Sequence, residues 1–148
     1  MNQFQLTIRF LHVLSAALWL GAALSWPGAL RRALRLGPPH PAPALAQARV
    51  GLGLDLGAGL ATVATGLVYA SPFGGGPLRI GIVVGLAVAL ARLALLVALA
   101  RPTLRAVSDD VAAGDLDAAR GAARRLPAYT GTAHLLWLIA LVVMVYPL

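Results

Sequence analysis

The alternation of apolar and polar positions divides this chain into four long apolar runs, from about Phe4 to Leu30, Val50 to Ala70, Leu78 to Ala100 and Tyr129 to Leu148. At 1.5 Å per residue, each run is long enough to cross roughly 30 Å of hydrocarbon. In lipid, such segments satisfy their own backbone N–H and C=O groups only as helices. The pattern predicts an all-α fold: an up-down four-helix transmembrane bundle, with residues 1–148 as a single domain.

The breaks between runs have distinct chemistry. GPPHPAPA, from Gly37 to Ala44, is too rich in proline to be helical throughout. SPFGGGP, from Ser71 to Pro77, predicts a tight turn that makes the second and third helices an antiparallel hairpin. The only long polar stretch runs from Arg101 to Pro127. There Ser108 is expected to cap a short surface helix that opens with Asp109 and Asp110 and ends before Pro127. The first apolar run is longer than that of a signal peptide, and no good small-residue cleavage site follows it. It is expected to be a retained span.

Each helix carries one polar or small-residue face. On the first, Arg9, His12, Ser15, Trp19 and Trp26 fall within about 120° at 100° per residue. On the second, Asp55, Thr62, Thr65 and Tyr69 form a stripe beside Gly59 and Gly66. The third has Gly81, Gly85 and Ala89 at four-residue spacing, a groove for close helix approach, with Arg92 on the same face. The fourth groups Thr130, His134 and Trp137. These faces are expected to meet inside the bundle, and the glycine faces to support a homo-oligomer. Trp26, Tyr129 and Tyr146 read as interfacial anchors.

Composition sharpens the picture. Charged residues make up 11% of the chain and hydrophobic ones 59%, against about 25% charged in soluble domains. The absence of cysteine excludes disulfides, thiolate metal sites and a cysteine nucleophile. All 12 basic residues are arginine, and the net charge is +7. Most lie in the loops between apolar runs, which argues for membrane orientation and not for nucleic-acid binding. Arg31, Arg32, Arg35 and Arg49 cluster at the first loop, and Arg101, Arg105, Arg120, Arg124 and Arg125 at the third. Only Arg9 and Arg79 are left for the opposite side. The positive-inside rule then places both termini outside and the basic loops in the cytoplasm, in a bacterial inner membrane with lipid as the immediate surroundings.

A charge at the bilayer centre costs about 2.5–3.5 kcal/mol on insertion scales, so intramembrane ionisable groups are candidates for function. There are four, His12, Asp55, Arg92 and His134. Asp55 lies roughly 9 Å beyond Arg49, and Arg92 roughly 14 Å from the basic end of its own helix, counted at 1.5 Å per residue. An arginine side chain spans that difference, so a buried Asp55–Arg92 ion pair is expected, either as simple neutralisation or as part of a polar path. His12 falls in the outer half and His134 in the inner half, about 10 Å apart in depth. That separation disfavours one haem clamped by both within one subunit.

The stretch RFLHVLSAALWLGAALSWPGALRRAL, which begins at Arg9, resembles the first helix of CopD-like and HemJ-like bacterial membrane proteins. In that superfamily an early histidine is followed by a Trp-x-Gly step and a basic exit. The third helix, PLRIGIVVGLAVALARLALL, is a weaker likeness. HemJ-like proteins bind haem b and act in protoporphyrinogen oxidation, and CopD-like proteins are associated with copper movement. The resemblance implies haem b on His12 as axial ligand, with Arg9 and Arg79 available to its propionates and His134 a further metal-ligand candidate. HemJ-like enzymes also use a lysine on the third helix, and this chain has none, which argues against oxidase activity. Cu(I) favours soft ligands, and the chain offers only Met1 and Met144. The other readings are a copper-handling or small-solute permease, with Asp55, Arg92 and His134 lining a polar path, and an accessory subunit without chemistry.

Overall fold

The computed structural model describes residues 3–24, 26–71 and 80–145. Seven helices follow one another among them: α1 (Gln3–Ala22), α2 (Trp26–Leu36), α3 (Pro41–Ala70), α4 (Ile80–Leu95), α5 (Arg101–Ala112), α6 (Leu116–Ala123) and α7 (Leu126–Val145). Four stretches are long and apolar enough to cross a membrane: α1–α2, α3, α4–α5 and α6–α7. They run up and down as the pattern of apolar runs predicts.

The helix ends differ from those read in the sequence, and proline accounts for most of the differences. The first run is broken, not continuous, with a turn at Ala23 and Leu24 before α2 begins at Trp26. Pro27 has no N–H to give the preceding turn, and its ring would collide with the Ala23 carbonyl. Farther on, Pro41 opens α3 at its first helical position, where the missing N–H costs nothing, so this helix starts nine residues before Val50. Between α4 and α5 the chain widens into a π turn, Leu96–Ala100, in which the Arg101 N–H donates to the Leu96 carbonyl. Pro102 follows directly, and the wider turn carries the helix past it without a break. Ser108 does not cap a helix, because it lies inside α5 and accepts a hydrogen bond from Arg49. The short helix is α6, capped by Asp115, whose side chain accepts from the Ala118 N–H at 2.9 Å. The predicted turn at Ser71–Pro77 lies almost wholly outside the described residues.

The apolar core is concentrated at the arginine-rich end. Trp26, Leu30 and Leu34 of α2 pack there with Leu45, Ala48 and Leu52 of α3, Leu96 and Leu104 around the π turn, and Leu126 of α7. Trp26 is 1% exposed, which corrects its reading as an interfacial anchor. Its ring lies over Gly51, where a Cβ would come within 2.6 Å of it. Tyr129 is half-buried against the same core, and Tyr146 lies outside the described residues.

Away from that end the bundle is held by two close helix pairs, α1 with α3 and α4 with α7. In the first, successive turns interlock: His12 against Gly66, Ser15 against Thr62, and Trp19 against Gly59. In the second, α4 presents Gly81 and Gly85 to Val143 and Met144 of α7. Gly59, Gly66, Gly81 and Gly85 are thus filled by neighbours within the chain. Large apolar side chains such as Phe10, Leu18, Leu60, Ile80 and Leu135 point outward.

The α4–α7 contact yields a direct test. A Cβ at Gly81 would stand 2.2 Å from the Val143 carbonyl oxygen, so Gly81→Ala forces the two helices apart at a cost of about 1–3 kcal/mol. Its unfolding midpoint in detergent is expected to fall. Gly131→Ala, which enters open space, is expected to leave the midpoint unchanged or raise it.

Candidate functional site

All four long apolar segments meet at Arg92. This residue is completely buried, one turn before the π segment, and its Nε and Nη2 reach the three other segments. Nη2 lies 2.9 Å from Oδ1 of Asp55 on α3, itself completely buried. Nε donates to the Ala133 carbonyl of α7 at 2.9 Å, and Nη2 also approaches the Trp19 carbonyl of α1 at 3.4 Å. The guanidinium carbon sits 4.2 Å from the centre of the Trp19 ring, which adds a cation–π contact.

The centre is electrostatically closed but not fully hydrogen-bonded. Asp55 Oδ1 is held in the ion pair with Arg92 Nη2, while Asp55 Oδ2 and Arg92 Nη1 are without a hydrogen-bond partner. His134 is close enough to Asp55 to interact with it electrostatically. Its Nδ1–H donates to the Thr130 carbonyl at 2.7 Å, since a carbonyl can only accept, and its buried Nε2 has no partner. Unused donors and acceptors on three residues therefore converge in a region of low dielectric, where each is costly to leave unmade.

A second polar group lies farther along α3. The Nδ1–H of His12 points at the Thr62 carbonyl (3.0 Å) and the Thr65 hydroxyl (3.1 Å). Thr62 donates to Ser15 at 3.1 Å, and Ser15 donates to the His12 carbonyl at 3.0 Å. Thr62 is seven residues beyond Asp55, about 10 Å along the helix. Trp19 packed on Gly59 separates the two groups.

The predicted site residues therefore divide. Asp55, Arg92 and His134 come together, while His12 faces α3 at another level. Arg9 does not join the interior and is exposed. Arg79 lies outside the described residues. No group of three or more His, Cys, Asp or Glu forms among those described. Met144 packs against Gly85, and Met1 lies outside the described residues.

Compared with protein families, curated proteins and solved structures, the chain matches none. The assignment rests on the residues themselves.

Two participants were missed in the sequence, Trp19 as the ring under Arg92 and the Ala133 carbonyl as its acceptor. Trp19 was visible on the polar face of α1, but only a count of its depth against that of Arg92 would have paired them. The carbonyl carries no sequence signal at all.

Removing one member of the buried pair strands the other. Asp55→Asn or Arg92→Leu alone is expected to destabilise the protein by about 3–5 kcal/mol, and the double variant to recover much of that loss. A double-mutant cycle of melting in detergent checks this, with strictly additive losses as the contrary result.

Proposed function

We propose that the chain is a multi-pass protein of the bacterial inner membrane, with both termini outside and the arginine-rich end in the cytoplasm. Its buried Arg92–Asp55–His134 centre serves a proton-linked permease for a small carboxylate. The observation that carries this reading is the convergence of unused hydrogen-bonding atoms on three fully or largely buried ionisable side chains. A purely structural ion pair would be expected to complete its bonds.

The chemistry follows from the charges. While Asp55 is ionised it neutralises Arg92. Protonation of Asp55 frees the guanidinium, whose planar fork suits a carboxylate. Arg92 Nη1 is the donor already available, and Nε2 of His134 is a second proton acceptor beside Asp55. Polar groups stand on both sides of Trp19, which makes its ring the natural barrier between the two ends of the path. In proteoliposomes under an inward proton gradient, the protein is expected to speed uptake of labelled acetate, lactate or pyruvate. Asp55→Asn should abolish the acceleration and Ser15→Ala should retain it. Uptake equal to that of empty vesicles with all three would defeat the proposal and favour a structural pair.

One observation supports a second reading, haem b on His12. Because α3 takes the Nδ1–H of this ring, Nε2 is its basic nitrogen in the neutral form, the way ligating histidines are commonly held. Gly66 leaves room for the ring, since a Cβ there would stand 3.1 Å from it. His12 would be the axial ligand, and bound haem would supply one-electron chemistry. Protein produced with ample haem is then expected to show a Soret band that His12→Ala removes and His134→Ala keeps. A colourless wild-type protein would end this reading.

A further inference from the structure

We infer that the groove between α3 and α5 is a specific binding site for an anionic phospholipid. The groove has a volume of about 690 Å³. Its rim carries Arg49, Arg101 and Arg105, while Leu52, Gly53 and Leu56 form an apolar floor that leads toward the middle of the span. The chemistry is that of one amphipathic ligand, with phosphate at one end and hydrocarbon at the other.

Three features favour a lipid over free phosphate. Arg101 and Arg105 are exposed and make no hydrogen bond or ion pair among the described residues, so their charges are available. Arg49 is tied to Ser108 across the groove, which fixes one wall. Gly53 has open space where a Cβ would be, so the floor keeps a slot for a chain lying along α3. Asp109 also lines the groove, but the balance of three arginines to one aspartate remains attractive to an anion. Basic pockets between helices on the cytoplasmic side suit anionic headgroups. The second arginine cavity, lined by Arg31, Arg35, Arg120 and Arg124, is smaller, at about 180 Å³. There Arg120 is already engaged by the Leu34 carbonyl and by Asp117.

The inference rests on the membrane insertion proposed above. Carbonate extraction of membranes is therefore run first, and protein released by carbonate would overturn insertion itself. The full-length protein in neutral detergent is then titrated with phosphatidylglycerol, phosphatidylcholine or inorganic phosphate. Melting temperature is followed, and retained lipid is counted by native mass spectrometry. Phosphatidylglycerol is expected to raise the melting temperature and stay bound, and the other two to do neither. Arg101→Gln with Arg105→Gln should weaken its binding about 25-fold, at roughly fivefold per arginine near the headgroup. Gly53→Leu keeps the charges, fills the slot and should also abolish retention. Arg31→Gln with Arg35→Gln should leave it intact. Equal stabilisation by phosphatidylcholine or by phosphate alone, or undiminished phosphatidylglycerol binding in both groove variants, would overturn the site.

Discussion

A guanidinium cannot be left alone in a low-dielectric interior, and the arrangement of the four long apolar segments answers to that constraint. Arg92 has a carboxylate from α3, a carbonyl from α7, and a carbonyl and an aromatic face from α1. Each partner comes from a different segment, so the charge acts as a common tie at the level where the apolar core gives way to paired helices. A buried pair of this kind adds little net stability over a well-packed apolar equivalent. What it enforces is depth and register, because a helix sliding by one turn would lift its partner away from Arg92.

The two ends of the bundle are built on different principles. At the arginine-rich end, large side chains such as Trp26, Leu30, Leu96 and Leu126 interdigitate around a continuous core. Toward the other end, glycine and small polar residues bring backbones close, as in α4 against α7. The polar groups at Arg92 and at His12 lie along one face of α3, with Trp19 between them. The core end is thus anchored, and the helix pairs beyond it carry the ionisable groups.

The groove beside α3 extends this logic to the membrane surface. The four spanning stretches are 30 to 34 residues long, about 45–50 Å of helix against roughly 30 Å of hydrocarbon. At the arginine-rich end Arg49, Arg101 and Arg105 line the groove together with the apolar Leu52, Leu56 and Leu104. Long arginine stems lie comfortably at such a boundary, with their charge outward.

The helical class, the number of long apolar segments and the clustering of arginines were legible in the sequence because each is set by local composition: apolar length, proline position and charge. Depth counting along single helices also brought Asp55 and Arg92 to one level, since rise per residue is constant. What depended on rotation and contact was settled only by tertiary structure. Arg9 shares a face with His12 by helical angle, yet α3 takes the histidine and leaves the arginine outside. Trp26 looked like an interfacial anchor because tryptophan prefers that boundary, but the break before Pro27 turns it inward over Gly51. The glycines that suggested a partner chain are consumed by Trp19, His12, Val143 and Met144. A sequence reports that a small residue permits close approach, and only the packed chain decides which neighbour arrives.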